Sequence, residues 1–240
     1  MLDGKTILIT GGAKRIGRIM ALGVARAGGN LVIHYNNSIN LAEKLKIEIE
    51  DLGQKAEILQ ADFSDPETTQ EKFRDIFSSR KIFGLVNNAS IFSNLSWKDT
   101  QINDWNQHLD INLTVPFLLS KLFSQSIPTK EKGRIINILD WRALRPGADH
   151  FPYTISKAAL ASLTKSMAIA LSPNITVNGI ALGAILPPNE GKPPKNLMSD
   201  LQISRWAEAS EVEETLLFLL TGPEYITGEI IHLDGGRHLT

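Results

Sequence analysis

The 240-residue sequence contains no cysteine, which removes disulfides, thiolate metal sites and cysteine nucleophiles together and fits a reducing compartment. No apolar run is long enough to span a bilayer. The opening Met1-Leu2-Asp3-Gly4 lacks the basic start and apolar stretch of an export signal, so a cytoplasmic protein with no membrane association is expected. Neither sign of charge prevails: 25 Lys and Arg stand against 26 Asp and Glu, a net charge of −1. No global field therefore draws the chain towards nucleic acid or anionic lipid, and its basic residues form no stripe with interleaved aromatics. The histidines (His34, His108, His150, His232 and His238) show no metal-ligand spacing, so no metal site is expected. A Gly-x-Ser-x-Gly elbow is missing as well, which removes the obvious hydrolase option.

What is present is alternation. Short β-branched, apolar runs at 6–10, 31–35, 56–60, 83–87, 134–139, 175–180 and 229–233 read as strands buried on both faces. Helical patterns fill the gaps at 15–27, 38–52, 66–79, 103–126, 152–171 and 210–221. Such alternation predicts a single α/β domain over residues 1–240, a doubly wound, Rossmann-type sheet of seven parallel strands with helices on both faces. Asp65-Pro66 is a helix start, and Gly28-Gly29 and Gly53 are helix ends. One irregular stretch, 183–204, carries Pro187, Pro188, Pro193 and Pro194 and is expected to form a lid over the ligand end of the sheet.

The turn after the first strand, Thr10-Gly11-Gly12-Ala13-Lys14-Arg15-Ile16-Gly17, suits a pyrophosphate. Glycines admit close backbone approach, and the N–H groups of a helix start favour an anion. Arg15 occupies the place of the usual middle glycine. An NAD site usually has an acid at the end of the second strand; here His34-Tyr35-Asn36-Asn37-Ser38 supplies none, and Lys14 and Arg15 stand near as cations. That combination favours the 2′-phosphate of NADPH, although Asn36–Ser38 can equally cap the next helix, and Ser38 can do both. Asp62 after the third strand can accept from an adenine amino group. Asn88, Ala89 and Ser90 after the fourth give small and amide residues where backbone must pass a flat cofactor. Asn112, among apolar helical neighbours, reads from the residues alone as a satisfied core amide. Tyr153 and Lys157, four apart on one helix, lie on one face, and a neighbouring ammonium is expected to lower the phenol pKa towards the working range. The fifth strand ends in a carboxylate, Asp140.

Together, the Thr10–Gly17 turn, Asn87-Asn88-Ala89, Asn112, Tyr153/Lys157 and the closing Leu233-Asp234-Gly235-Gly236 resemble the short-chain dehydrogenase/reductase family along essentially the whole chain. The resemblance implies an oxidoreductase, commonly a homotetramer. Tyr153 would be the acid/base, and Lys157 would lower its pKa and bind the nicotinamide ribose. Asn112 would hold a water in a proton relay. The NADPH-binding candidates are then Gly11, Lys14, Arg15, Ile16, Gly17, His34, Tyr35, Asn36, Asn37, Ser38, Asp62, Phe63, Asn88, Ala89, Ser90, Tyr153, Lys157, Gly183 and Ile185.

The departures narrow this further. Most of the family has Ser where this chain has Asp140. A carboxylate roughly 3–4 Å from a developing oxyanion costs several kcal/mol at intermediate dielectric, where a hydroxyl would stabilise it. Asp140 therefore suits a substrate with N–H donors or a C=N bond. Arg15, His34-Tyr35, Asn88-Ala-Ser-Ile-Phe92, Ile136-Asn-Ile-Leu-Asp140 and Leu233–Leu239 resemble the pteridine and dihydromonapterin reductase branch. In that branch an aromatic at the position of Phe92 sandwiches the pterin against the nicotinamide. The implied substrate is a dihydropterin or dihydrofolate, held by Arg15, Ser90, Phe92, Asp140 and Tyr153. The rivals are a 3-oxoacyl-carrier-protein or small-carbonyl reductase and a non-catalytic nucleotide-binding sensor. Leu182-Gly183 stands where the family usually has Pro-Gly.

Overall fold

The computed structural model describes residues 1–187 and 202–239. Among them, seven parallel strands form one sheet in the order β3-β2-β1-β4-β5-β6-β7. The strands are β1 (Thr6–Ile9), β2 (Asn30–Tyr35), β3 (Ala56–Gln60), β4 (Ile82–Asn87), β5 (Gly133–Asp140), β6 (Ile175–Leu182) and β7 (Ile230–Leu233). The helices are α1 (Arg15–Arg26), α2 (Ile39–Asp51), α3 (Pro66–Ser79), α4 (Ile102–Leu109), α5 (Val115–Ser126), α6 (Phe151–Ala170) and α7 (Ala209–Thr221). The expected doubly wound fold is the fold observed.

Period-two alternation divides the strand side chains between two cores. Ile7, Ile9, Ile33, Ile136 and Ile180 face α1, α2 and α7, packing on Met20, Leu45 and Leu216. Leu8, Val32, Leu85, Ile135 and Val177 face α3, α5 and α6, against Phe73, Leu119 and Met167. Both faces are covered, which is why the strands read as unbroken apolar runs. Asp65 caps α3 by accepting from the Thr68 N–H at 3.1 Å, with Pro66 at the first turn. Ser38 precedes α2 but makes no side-chain cap bond, so the capping part of its expected role is not realised.

The helix expected over 103–126 is interrupted. Residues Asp110–Thr114 form a π-helical turn between α4 and α5, and it carries Asn112. Such wide turns cluster at functional sites because one inserted residue re-aims a side chain. Of the expected lid, residues 188–201 lie outside the described residues. Strand order reverses between β1 and β4, and the crevice beyond their carboxyl ends is where ligands bind in open α/β sheets.

Candidate active site

A cavity of about 480 Å³ opens at this crevice. At its floor, Gly11 has φ +60, and a Cβ there would meet the Ala89 Cα at 2.9 Å. A Cβ on Gly17 would fall 2.2 Å from the Gly11 carbonyl oxygen. Only glycine allows this turn. Asn88 staples it, its amide donating to the carbonyls of Thr10 (2.8 Å) and Gly11 (3.1 Å). The Thr10 hydroxyl accepts the N–H groups of Asn88 and Ala89 at 2.9 and 3.0 Å. Arg15 adopts φ 52, a left-handed conformation costing a non-glycine residue about 1–2 kcal/mol, and its guanidinium donates to the Pro187 carbonyl at 3.0 Å.

His34 lines the same cavity from beneath. Buried to 2% exposure, it accepts the Gly11 N–H on Nδ1 at 3.1 Å, and its Nε2 lies 3.1 Å from the Ala61 carbonyl, which fixes Nε2 as the donor. Phe63 stacks on its ring at 4.0 Å. Burial pushes the imidazole down to about 4, so at neutral pH it is a neutral support for the turn. Tyr35, Asn36, Asn37 and Ser38 continue the lining beside Lys14, Arg15 and Ile16, and no carboxylate is among the lining residues described.

Ser90, Phe92 and Tyr153 line the other end. Phe92 is 55% exposed, meets Tyr153 edge-on at 4.6 Å and stacks on His150 at 3.9 Å. His150 is the residue that sequence reasoning passed over. It sits at φ 50 before α6, with Nδ1 on the Ser93 carbonyl at 2.9 Å. The tyrosine hydroxyl donates to Asp140 Oδ2 at 3.0 Å, so the carboxylate sits directly behind the phenol, while Tyr153 is the one of the two that lines the cavity. Asp140 Oδ1 accepts the Arg142 N–H at 2.9 Å.

One expectation is corrected. Lys157 does not lower the Tyr153 phenol pKa, which burial first and the Asp140 carboxylate second hold well above its ordinary value. The lysine ammonium donates to the Ile138 carbonyl at 2.7 Å and lies 5.8 Å from the tyrosine ring centroid; burial brings it down to about 8. Asn112 sits in the π-helical turn. Fully buried, its side chain accepts the Ile91 N–H (3.0 Å) and donates to the Ile91 carbonyl (3.1 Å) and the Ser156 hydroxyl (3.0 Å). It anchors the loop bearing Phe92 instead of presenting its amide to the cavity. The satisfied core amide read from the residues is what the side chain is.

Of the expected site residues, Asp62, Asn112, Asp140, Lys157, Gly183 and Ile185 stand outside the cavity lining. Asp62 Oδ1 accepts the Ser64 N–H and hydroxyl at 2.9 and 2.8 Å. Gly183 lies so close to Asp234 that a Cβ would meet its Cα at 2.5 Å, and Ile185 is buried in the core beside β6. Asn87 likewise turns inward, donating to Ser120 and Asn137 at 3.2 and 2.8 Å.

A glycine cradle at the switch point, with a phenol, an ammonium and a carboxylate converging beyond it, defines a dinucleotide-dependent oxidoreductase. The chain belongs to the short chain dehydrogenase family, whose model matches residues 5–196. It is 32% identical over 243 residues to 2-dehydro-3-deoxy-D-gluconate 5-dehydrogenase of Bacillus subtilis, covering 98% of this chain and 95% of that one. It is 31% identical over 242 residues to the 3-oxoacyl-[acyl-carrier-protein] reductase of a Synechocystis species, covering 98% and 97%. Among solved structures it resembles FolM Alternative dihydrofolate reductase 1 from Brucella canis complexed with NADP. That match has a TM-score of 0.88 and 33% identity, covering 100% of this chain and 96% of that one. Among the described residues no helix is long and apolar enough to cross a membrane, and no group of side chains is arranged to hold a metal.

Proposed function

We propose that the protein is an NADPH-dependent reductase of dihydropterins, taking a dihydromonapterin, dihydrobiopterin or dihydrofolate to its tetrahydro form. The observation that supports this is the Asp140 carboxylate bonded to the Tyr153 hydroxyl, at a position where a hydroxyl would serve a ketone. The cofactor is NADPH: Lys14, Arg15 and the acid-free 34–38 stretch suit a 2′-phosphate, and the close approach at Gly11 and Gly17 leaves backbone N–H groups for the pyrophosphate. When bound, it supplies the hydride. Tyr153, held as a phenol, delivers the proton to the ring nitrogen of the C=N bond, and Asp140 accepts N–H groups of the substrate. The exposed Phe92 ring covers a flat heterocycle, and Arg15 closes the slot from the turn.

The discriminating experiment follows NADPH oxidation with the three dihydro substrates and with an acetoacetyl thioester in parallel. Turnover of a dihydropterin is expected; turnover of the thioester alone removes the reading. The Synechocystis relative favours the thioester as a second reading, and Asp140→Ser separates the two by raising carbonyl activity if the carboxylate is what excludes it. For assembly we propose a homotetramer covering the exposed Phe117 on α5 and Ile169 on α6; a monomer mass in light scattering removes that.

A further inference from the structure

Arg142 links the acid behind Tyr153 to the acid that precedes His150. Its side chain is only 12% exposed, although it lies in the short 3₁₀ turn Trp141–Ala143 that follows β5. Nη2 donates to Asp149 Oδ2 at 2.7 Å, and Nη1 lies 3.9 Å from Asp140 Oδ1. Nε is buried without a partner among the described residues. The guanidinium also lies over the Trp141 ring, 4.8 Å from its centroid, and Arg237 covers the same ring at 4.3 Å.

These contacts form a chain of orientation. Asp149 fixes the guanidinium. Together with the Arg142 N–H at 2.9 Å, the cation gives Asp140 Oδ1 a settled partner, and that leaves Oδ2 to the Tyr153 hydroxyl at 3.0 Å. On the other side, Asp149 immediately precedes His150, whose ring backs Phe92. A cation kept in so enclosed a place, with one donor unpaired, is costly to hold. The geometry offers a reason.

We propose that Arg142 is a positioning residue for the reduction, its guanidinium holding the Asp140 carboxylate turned onto Tyr153. The proposal rests on Asp140 and Tyr153 serving the reduction described above and is indifferent to whether the substrate is a pterin or a carbonyl compound. Because Arg142 acts through Asp140, its replacement matters only while Asp140 is there to be held.

The test is a double-mutant cycle of Arg142→Met with Asp140→Asn, measured in single turnovers so that low rates stay readable. Dihydrobiopterin and an acetoacetyl thioester are run in parallel. Arg142→Met alone is expected to lower the hydride-transfer rate about 10–100-fold, the scale of a mispositioned catalytic group, with the KM for NADPH unchanged. In the Asp140→Asn background the same change is expected to cost nothing further. Asp149→Asn, on the more exposed partner of the same guanidinium, gives a smaller loss that also vanishes in that background, and covers the case in which Arg142→Met fails to fold. Equal losses with and without Asp140 overturn the proposal. Turnover of the thioester alone removes the pterin reading while the cycle still reports on Arg142; turnover of neither removes both.

Discussion

The Tyr153 hydroxyl donates a hydrogen bond to Asp140 Oδ2 at 3.0 Å, while Lys157 four residues on donates at 2.7 Å to the Ile138 carbonyl. Phenol and ammonium share a helix face without being a directly bonded couple. Tyrosine is thereby kept protonated by burial and by the acid beside it, the state required of a proton donor. Tyr153→Phe is expected to lower kcat about 10²–10⁴-fold, the range for losing a general acid, while the NADPH dissociation constant stays within a few-fold. Unchanged substrate-dependent NADPH oxidation in this variant would show that Tyr153 is not the proton donor, and no such oxidation in either protein would return the chain to the class of nucleotide sensors.

His34 links acidity to cofactor binding. Its pKa lies near 4 in the fold against an ordinary 6.5. A lowered folded value means that its contribution to stability is complete above 6.5 and is lost as pH falls from there through 4. The difference corresponds to roughly 3 kcal/mol. Protonation of Nδ1 also removes the acceptor of the Gly11 N–H, so NADPH affinity should hold down to about pH 5 and fall only as pH passes through the folded value near 4. Urea midpoints at pH 7 and 4.5, and cofactor titrations extended to about pH 4, each compared with His34→Gln, check this; an identical acid loss in the variant means another group is responsible.

Phe92 is half in solvent and has His150 behind it, so its truncation opens the slot without leaving a hole in the core. Phe92→Ala should raise the KM for a dihydropterin about 10-fold or more, consistent with a lost stacking contact and its buried area, while NADPH affinity and the thermal midpoint change little. Equal weakening of cofactor and substrate binding would contradict a ring that covers the substrate alone.

The seven strands were legible because burial on both faces leaves apolar runs that no other element imitates, as in Ile135-Ile136 flanked by Ile138-Leu139. The cradle was legible for a similar reason, since the glycine turn and the acid-free end of β2 act largely through backbone and position. What escaped lies between 141 and 150, where no period relates sequence to direction. His150 adopts φ 50 without being glycine or asparagine, so nothing announced that its ring would turn onto Phe92. A basic residue two places after Asp140 was the available sign of Arg142. The tyrosine–lysine spacing predicted the shared face correctly but not the electrostatics, because burial outweighs an ammonium 5.8 Å from the ring.

Arg15 keeps φ 52 at a place where glycine would be relaxed. Arg15→Gly should therefore leave the turn about 1 kcal/mol less strained, set against the lost bond to the Pro187 carbonyl. Its cost should fall on ligands, with the KM for NADPH and for the dihydropterin both rising. If both constants hold while stability climbs, the guanidinium serves neither ligand.

The π-helical turn at Asp110–Thr114 makes helix phase a matter of chemistry as well as of packing. Deleting one residue there to restore uniform winding would swing everything after the cut by about 100° relative to everything before it. The continuous helix would gain regularity, and Asn112 would let go of both ends of the Ile91 peptide. Any shortened relative of this chain that still works must have found a different tether for its aromatic loop.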